Sequence, residues 1–191
     1  MMKNSILIPL LCLIFATSLT AQREETLFGR NGFDFTGIWG SATYNYSFFD
    51  EDYVYNRGGN IGLEFGNSLT VGYGWSRFKE EANPQDLRGF RMRYNGLMIG
   101  LTPNSYKAIH PRLTMLLGGG KVFLEDSRNT DKVFVFQPSA GLEINVFQWF
   151  RLGLEGGYRI VANENIAGLT AQDLSAPFAQ VDLRFGFSWD R

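Results

Sequence analysis

The residue types able to do chemistry are few, and none completes a catalytic set. His110 is the only histidine, the side chain best suited to general-base work near neutral pH. It precedes Pro111 with Ser105 nearby in sequence, and no acid is spaced to finish a serine triad. Gly118-Gly119-Gly120-Lys121 has the outline of a phosphate loop. Met115 stands where such a loop needs its first glycine, and Val122 where it needs Ser or Thr to reach magnesium. The triplet is therefore read as a kinked or flexible strand. Gly72-Tyr73-Gly74 lacks both a third glycine and a following helix. Asp50-Glu51-Asp52 offers oxygens for calcium, or for divalent ions bridging to lipopolysaccharide, and a solvated acidic loop is the plainer reading. No catalytic residue, metal ligand or cofactor is expected. What remains is a nearly balanced set of charges: Asp34, Glu64, Glu143, Glu155 and Asp182 with Arg91, Arg93, Arg159 and Arg184. Their chemistry is ion pairing, which requires elements that bring them face to face.

Those elements are strands, because apolar and polar residues alternate. Val181, Leu183, Phe185, Phe187 and Trp189 oppose Gln180, Asp182, Arg184, Gly186 and Ser188. Phe150, Leu152, Leu154, Tyr158 and Ile160 oppose Arg151, Gly153, Glu155, Gly157 and Arg159. Residues 134–146, 69–76 and 60–66 repeat the pattern, with Glu143 and Glu64 on polar faces. In 88–102, Phe90, Met92 and Tyr94 share a face opposite Arg91 and Arg93, and the apolar set then slips by one residue to Leu97, Ile99 and Leu101. A bulge near Asn95-Gly96 is the expected cause. Residues 111–124 lose their readable register at the glycine triplet, and 33–48 begin cleanly and then blur. The total is eight strands. Residues 49–58, 79–87, 125–132 and 163–177 read as longer polar connections; 66–68 and 147–149 are tight, and 103–110 is intermediate. Long connections alternating with short ones fit a membrane β-barrel.

Composition narrows the class. Aromatics make up 15% and charged residues 19% of the 191 residues, too apolar for a disordered chain. Formal net charge is −1, so nothing neutralises a phosphate backbone and nucleic acid is not an expected partner. Residues 1–21 read as a cleavable signal peptide: Lys3, an apolar run from Ile6 to Ala16, then Ser18-Leu19-Thr20-Ala21. Cleavage is expected after Ala21, with Ala16 as the alternative. The apolar run is short for a helix crossing about 30 Å of hydrocarbon. Cys12, the only cysteine, follows Leu10-Leu11 within that run, so neither a lipid anchor nor a disulfide is expected. Residues 22–32 form a periplasmic lead-in, and 33–191 the barrel.

Alternation alone leaves sidedness open, since a secreted lipocalin-like barrel holding an apolar ligand also alternates, with its oily face inward. Three features favour oily-outward. After the signal the only lysines are Lys79, Lys107, Lys121 and Lys132, all in or near connections. The balanced charges suit a packed polar lumen, as a salt-bridged core rather than a pore. Phe48, Phe49, Phe78 and the proposed girdle residues Trp75, Trp149, Phe150 and Trp189 collect near strand ends, where rings meet the water–lipid boundary. Phe48, Phe49, Tyr53 and Tyr55 can also be read as an adhesive patch, though boundary anchoring suffices.

The C-terminal segment FAQVDLRFGFSWDR resembles the signal strand of Gram-negative outer-membrane barrels, departing from it in Asp190-Arg191 after the last aromatic. With the export signal, strand count and loop alternation, residues 33–189 resemble the small eight-stranded barrels typified by the OmpA transmembrane domain and OmpX, without a peptidoglycan-binding domain. The resemblance implies an up-and-down transmembrane β-barrel in the outer membrane of a Gram-negative bacterium. It implies contact with outer-membrane lipid and a non-enzymatic role as structural element, adhesin or subunit of an envelope complex. In that setting the Asn45-Tyr46-Ser47 triplet carries no glycosylation signal.

Overall fold

The alternating segments form one closed antiparallel barrel in a computed structural model that describes residues 33–49, 52–79, 89–124, 130–162 and 170–189. The strands are β1 (Phe35–Phe49), β2 (Asp52–Phe65), β3 (Leu69–Phe78), β4 (Phe90–Leu101), β5 (Ile109–Leu124), β6 (Thr130–Phe147), β7 (Phe150–Ala162) and β8 (Ala176–Ser188). Each pairs with its sequence neighbour, and β8 closes on β1 from Gly37–Ser188 to Ser47–Phe178. Closure removes every unpaired edge, the condition for strands to enter hydrocarbon. The expected signal peptide, the lead-in, Asp50-Glu51 and Asp190-Arg191 lie outside the described residues.

One end of the barrel carries short turns. Gly66 (φ 54°) and Asn67 (φ 59°) form the β2–β3 turn, where two successive left-handed residues match the twist of a hairpin. The other end carries the connections after β1, β3, β5 and β7. There the first strand pair differs from expectation. The connection read as 49–58 shrinks to residues 50–51, because β2 starts at Asp52 and takes Asn56-Arg57-Gly58-Gly59 into the ladder with β1. The last connection ends in a single helical turn, α1 (Ala171–Leu174), in which Thr170 N–H donates to Asp173 Oδ2 at 2.6 Å. It drops Leu174 into the barrel mouth, fully buried.

The bulge expected near Asn95-Gly96 is absent: β4 runs unbroken against β3 and β5 from Arg93 to Leu101. The register shifts lie instead between Phe35 and Gly37 and between Asn145 and Phe147. The change in apolar pattern along β4 has another cause, a change in what fills the interior. Near the loop end Phe90, Met92 and Tyr94 point inward and join Phe49, Val54, Phe78, Leu116, Val122, Leu124, Val133, Val135, Val161, Leu174 and Ala176 in one apolar cluster. Near the turn end the interior is charged. Between them, Gly96 and Gly118 face each other across β4–β5. A Cβ on Gly96 would lie 2.0 Å from the Leu117 carbonyl oxygen, so only glycine allows this close inner wall.

Candidate functional site

Strand alternation aims one residue in two at the lumen, and opposite walls lie close enough for long side chains to meet. Near the turn end this produces a buried ionic cluster centred on Glu143 of β6. Its carboxylate receives Arg112 Nη1 at 2.9 Å, Arg151 Nη1 at 3.3 Å, and Arg184 Nη1, and it lies 3.1 Å from His110 Nε2. The four partners come from β5, β7 and β8. Arg151 also reaches across the lumen to Glu64 of β2 at 3.2 Å. Ser188 Oγ donates to Glu64 at 2.6 Å and accepts from Trp39 Nε1 at 3.0 Å and Arg151 Nη2 at 2.9 Å. The Arg151 guanidinium lies 3.6 Å from the Trp39 ring centre, a cation–π stack shielded from water.

A second tier continues upward. Arg112 Nε contacts Glu155 Oε1 at 2.8 Å, and Glu155 also accepts from Ser139. Gln180 Nε2 bridges Glu155 at 3.2 Å and Asp182 at 3.1 Å, and Thr43 donates to Asp182 at 2.5 Å. Above these lies a small cavity of about 40 Å³ lined by Asn45, Asn60, Tyr94, Met98, Gln137 and Gln180 among others. That space suits a water or two rather than an organic ligand. Arg159 stands apart. Its Nη1 donates to Ser47 Oγ at 3.1 Å, and its guanidinium is ringed by Phe78 at 4.8 Å, Phe49 at 5.5 Å and Tyr94 at 5.8 Å. Among the described residues no carboxylate pairs with it; aromatic faces take that place.

The structure sorts the expected charge set in two. Glu64, Glu143, Glu155, Arg159, Asp182 and Arg184 lie in the lumen, buried. Asp34, Arg91 and Arg93 do not. Asp34 precedes β1, is exposed and supplies only its carbonyl to Gly66 N–H at 2.9 Å. Arg91 and Arg93 stand on the outer face because their strand turns Phe90, Met92 and Tyr94 into the apolar cluster. Sequence reasoning missed His110, Arg112, Arg151 and Trp39 as members of the cluster. The first two were readable in alternation, as partners of Thr114 opposite Pro111, Leu113 and Met115. Arg151 falls on the polar face of its strand by the same alternation, beside Glu155 and Arg159. Trp39 was hidden by the register shift at Phe35–Gly37, which turns it inward.

The remaining candidates resolve simply. Ser105 donates its hydroxyl to the Asn67 carbonyl, and His110 contacts Glu143 and the Lys107 carbonyl oxygen, so the two are not a catalytic pair. Gly118–Lys121 is β5 ladder rather than a loop. Among the described residues no group of three or more His, Cys, Asp or Glu side chains is arranged to hold a metal. Trp149, Phe150 and Trp189 gather at the turn end: Trp149 lies 6.0 Å from Phe150, Phe150 stacks on Phe185 at 5.0 Å, and Trp189 meets Phe35 edge-on at 4.9 Å. Trp75 lies toward the loop end beside Tyr73 at 6.4 Å. The outer wall between is oily, with Leu63, Leu97, Leu113, Leu142, Leu154 and Phe185 exposed while Arg184 is 1% exposed.

This polarity is the inverse of a water-soluble protein's. The chain is similar to Neisserial surface protein A at 11% identity, with 80% of this chain and 96% of that one covered and a TM-score of 0.57. It is also similar to Ail, the attachment invasion locus protein of Yersinia pestis (13% identity, 81% and 97% covered, TM-score 0.45), and to the outer membrane protein OprG of Pseudomonas aeruginosa (8%, 81% and 97%, 0.46). No protein-family model and no curated protein matches the sequence. The fold is that of the small eight-stranded outer-membrane β-barrels, and the oily outer wall is the surface such a barrel turns to hydrocarbon.

Proposed function

We propose that this chain acts in the outer membrane as a non-enzymatic barrel, serving as a structural element, an adhesin or a subunit of an envelope complex. One observation carries the reading: the described part of the lumen is filled by buried charges, most of them paired, and an apolar plug. Four buried carboxylates and four buried arginines occupy it, and a cavity of about 40 Å³ lies among the polar side chains above the cluster. A space of that size suits water rather than a substrate or an apolar ligand. Work on the outside world is left to the loops and the outer wall. On this reading the loop end faces outward from the cell, as long connections do in such barrels.

The experiment is fractionation followed by gel electrophoresis with and without boiling. The protein is expected in the detergent-extracted outer membrane, migrating faster unboiled than boiled. Folded protein recovered from the periplasm without detergent contradicts the proposal.

A further inference from the structure

Across five neighbouring strands the outer face carries cations in direct register. Arg57 of β2 pairs with Arg77 of β3, Arg77 with Arg93 of β4, Arg93 with Lys121 of β5, and Lys121 with Lys132 of β6. All five are exposed and stand near the loop ends of their strands. Arg91 adds a sixth outward cation beyond Arg93. Like charges directly opposite on adjacent strands destabilise a sheet, so a row of them calls for an anion.

Among the described residues no carboxylate supplies it to Arg57, Arg77, Arg93 or Lys121. Of the strand carboxylates, Glu64, Glu143, Glu155 and Asp182 are buried in the lumen, and Asp131 alternates to the same side, opposite buried Val122. Two of the guanidiniums are held against the wall by rings, Arg93 over Phe123 at 5.0 Å and Arg57 over Tyr44 at 5.6 Å. The row is one-sided: the outer faces of β7, β8 and β1 carry no charge and present Tyr158, Val181, Tyr44 and Tyr46. Below the row each strand turns oily, through Trp75, Tyr73 and Val71 on β3 and Phe134 and Phe136 on β6. The cations therefore sit where the hydrocarbon ends.

We propose that Arg57, Arg77, Arg93 and Lys121 form a binding stripe for the phosphate groups of outer-leaflet glycolipid, gripping phosphorylated headgroups along one side of the barrel. The inference rests on the membrane orientation given above. Guanidiniums suit phosphate because their fork of donors matches its oxygens.

The test uses the full chain refolded in neutral detergent with EDTA, and a fluorescent diphosphorylated lipid A as probe. R57Q/R77Q/R93Q/K121Q is expected to bind the probe several hundredfold more weakly, since each cation near an anionic lipid surface contributes about 1 kcal/mol. R57K/R77K/R93K is expected to stay within about threefold, because charge is retained. Heat-modifiable migration verifies folding; should the quadruple variant not fold, R77Q/R93Q is measured, with about thirtyfold weakening expected. Equal affinity of the glutamine variants, or equal binding of dephosphorylated lipid A by the wild type, overturns the proposal. Displacement of the probe by excess inorganic phosphate overturns it too, since the stripe would then be a free-anion site. Failure of the wild type to insert into phosphatidylcholine vesicles sinks the membrane reading itself, whereas loss of lipid A discrimination alone sinks only the stripe.

Discussion

Replacing Glu143 with alanine is expected to destabilise the barrel by about 3–5 kcal/mol, read from the shift of its unfolding transition in denaturant at fixed detergent or lipid. The magnitude follows from what is stranded. Arg112, Arg151 and Arg184 converge on this one carboxylate, and His110 lies 3.1 Å from it. Without it three guanidiniums, each 1% exposed, repel one another in a low dielectric. Glu143→Gln keeps the shape and some hydrogen bonds but not the charge, so it is expected to recover only part of the loss. Glu64→Gln is expected to cost less, because Glu64 neutralises Arg151 alone and shares it with Glu143. If Glu143→Ala and Glu64→Gln proved equally mild, Glu143 would not be the hub that its contacts describe.

The second large effect comes from the opposite face. Leu154 is 50% exposed on β7, its register partners being Leu142 and Val181, and it lies well below the loop end of its strand. Leu154→Arg is expected to cost about 2–4 kcal/mol, the penalty for a cation placed against hydrocarbon near the midplane. At a water-facing position the same exchange would be within about 0.5 kcal/mol of neutral. Arg77→Leu, made at the polar rim, is the control and is expected to change stability by less than about 1 kcal/mol. A neutral Leu154→Arg would mean that this wall meets water.

Much of this was legible in the chain, for a specific reason. A strand's side-chain period is two, so Leu183 and Phe185 are separated from Asp182 and Arg184 by geometry alone. The eight segments, the tight turns at 66–68 and 147–149, and the interior placement of Glu64, Glu143, Glu155, Asp182 and Arg184 came from that period. Where reading by hydrophobicity went astray, the interior changed character. It is ionic near the turns and oily near the loops, so Phe90, Met92 and Tyr94 look like an outer face and push Arg91 and Arg93 inward on paper. One irregular step at Phe35–Gly37 likewise disguised Trp39. The Glu143 hub was not readable, because its partners come from three strands and depend on cross-strand register and on which long side chains meet over the lumen. The cation stripe was missed for the same reason: Arg57, Arg77, Arg93 and Lys121 are far apart in sequence and become neighbours only through pairing.

Tryptophan quenching by brominated phospholipid tests the inside-out arrangement most directly. Trp39 is 1% exposed and stacked under Arg151 in the lumen, whereas Trp149 is 47% exposed at the outer wall. Two variants suffice, each retaining one of these tryptophans with the other three replaced by phenylalanine, refolded into vesicles of brominated lipid. Strong quenching of Trp149 with Trp39 left bright is the predicted result. Quenched Trp39 beside unquenched Trp149 would put the ionic cluster against lipid and the oily wall in water, contradicting the account.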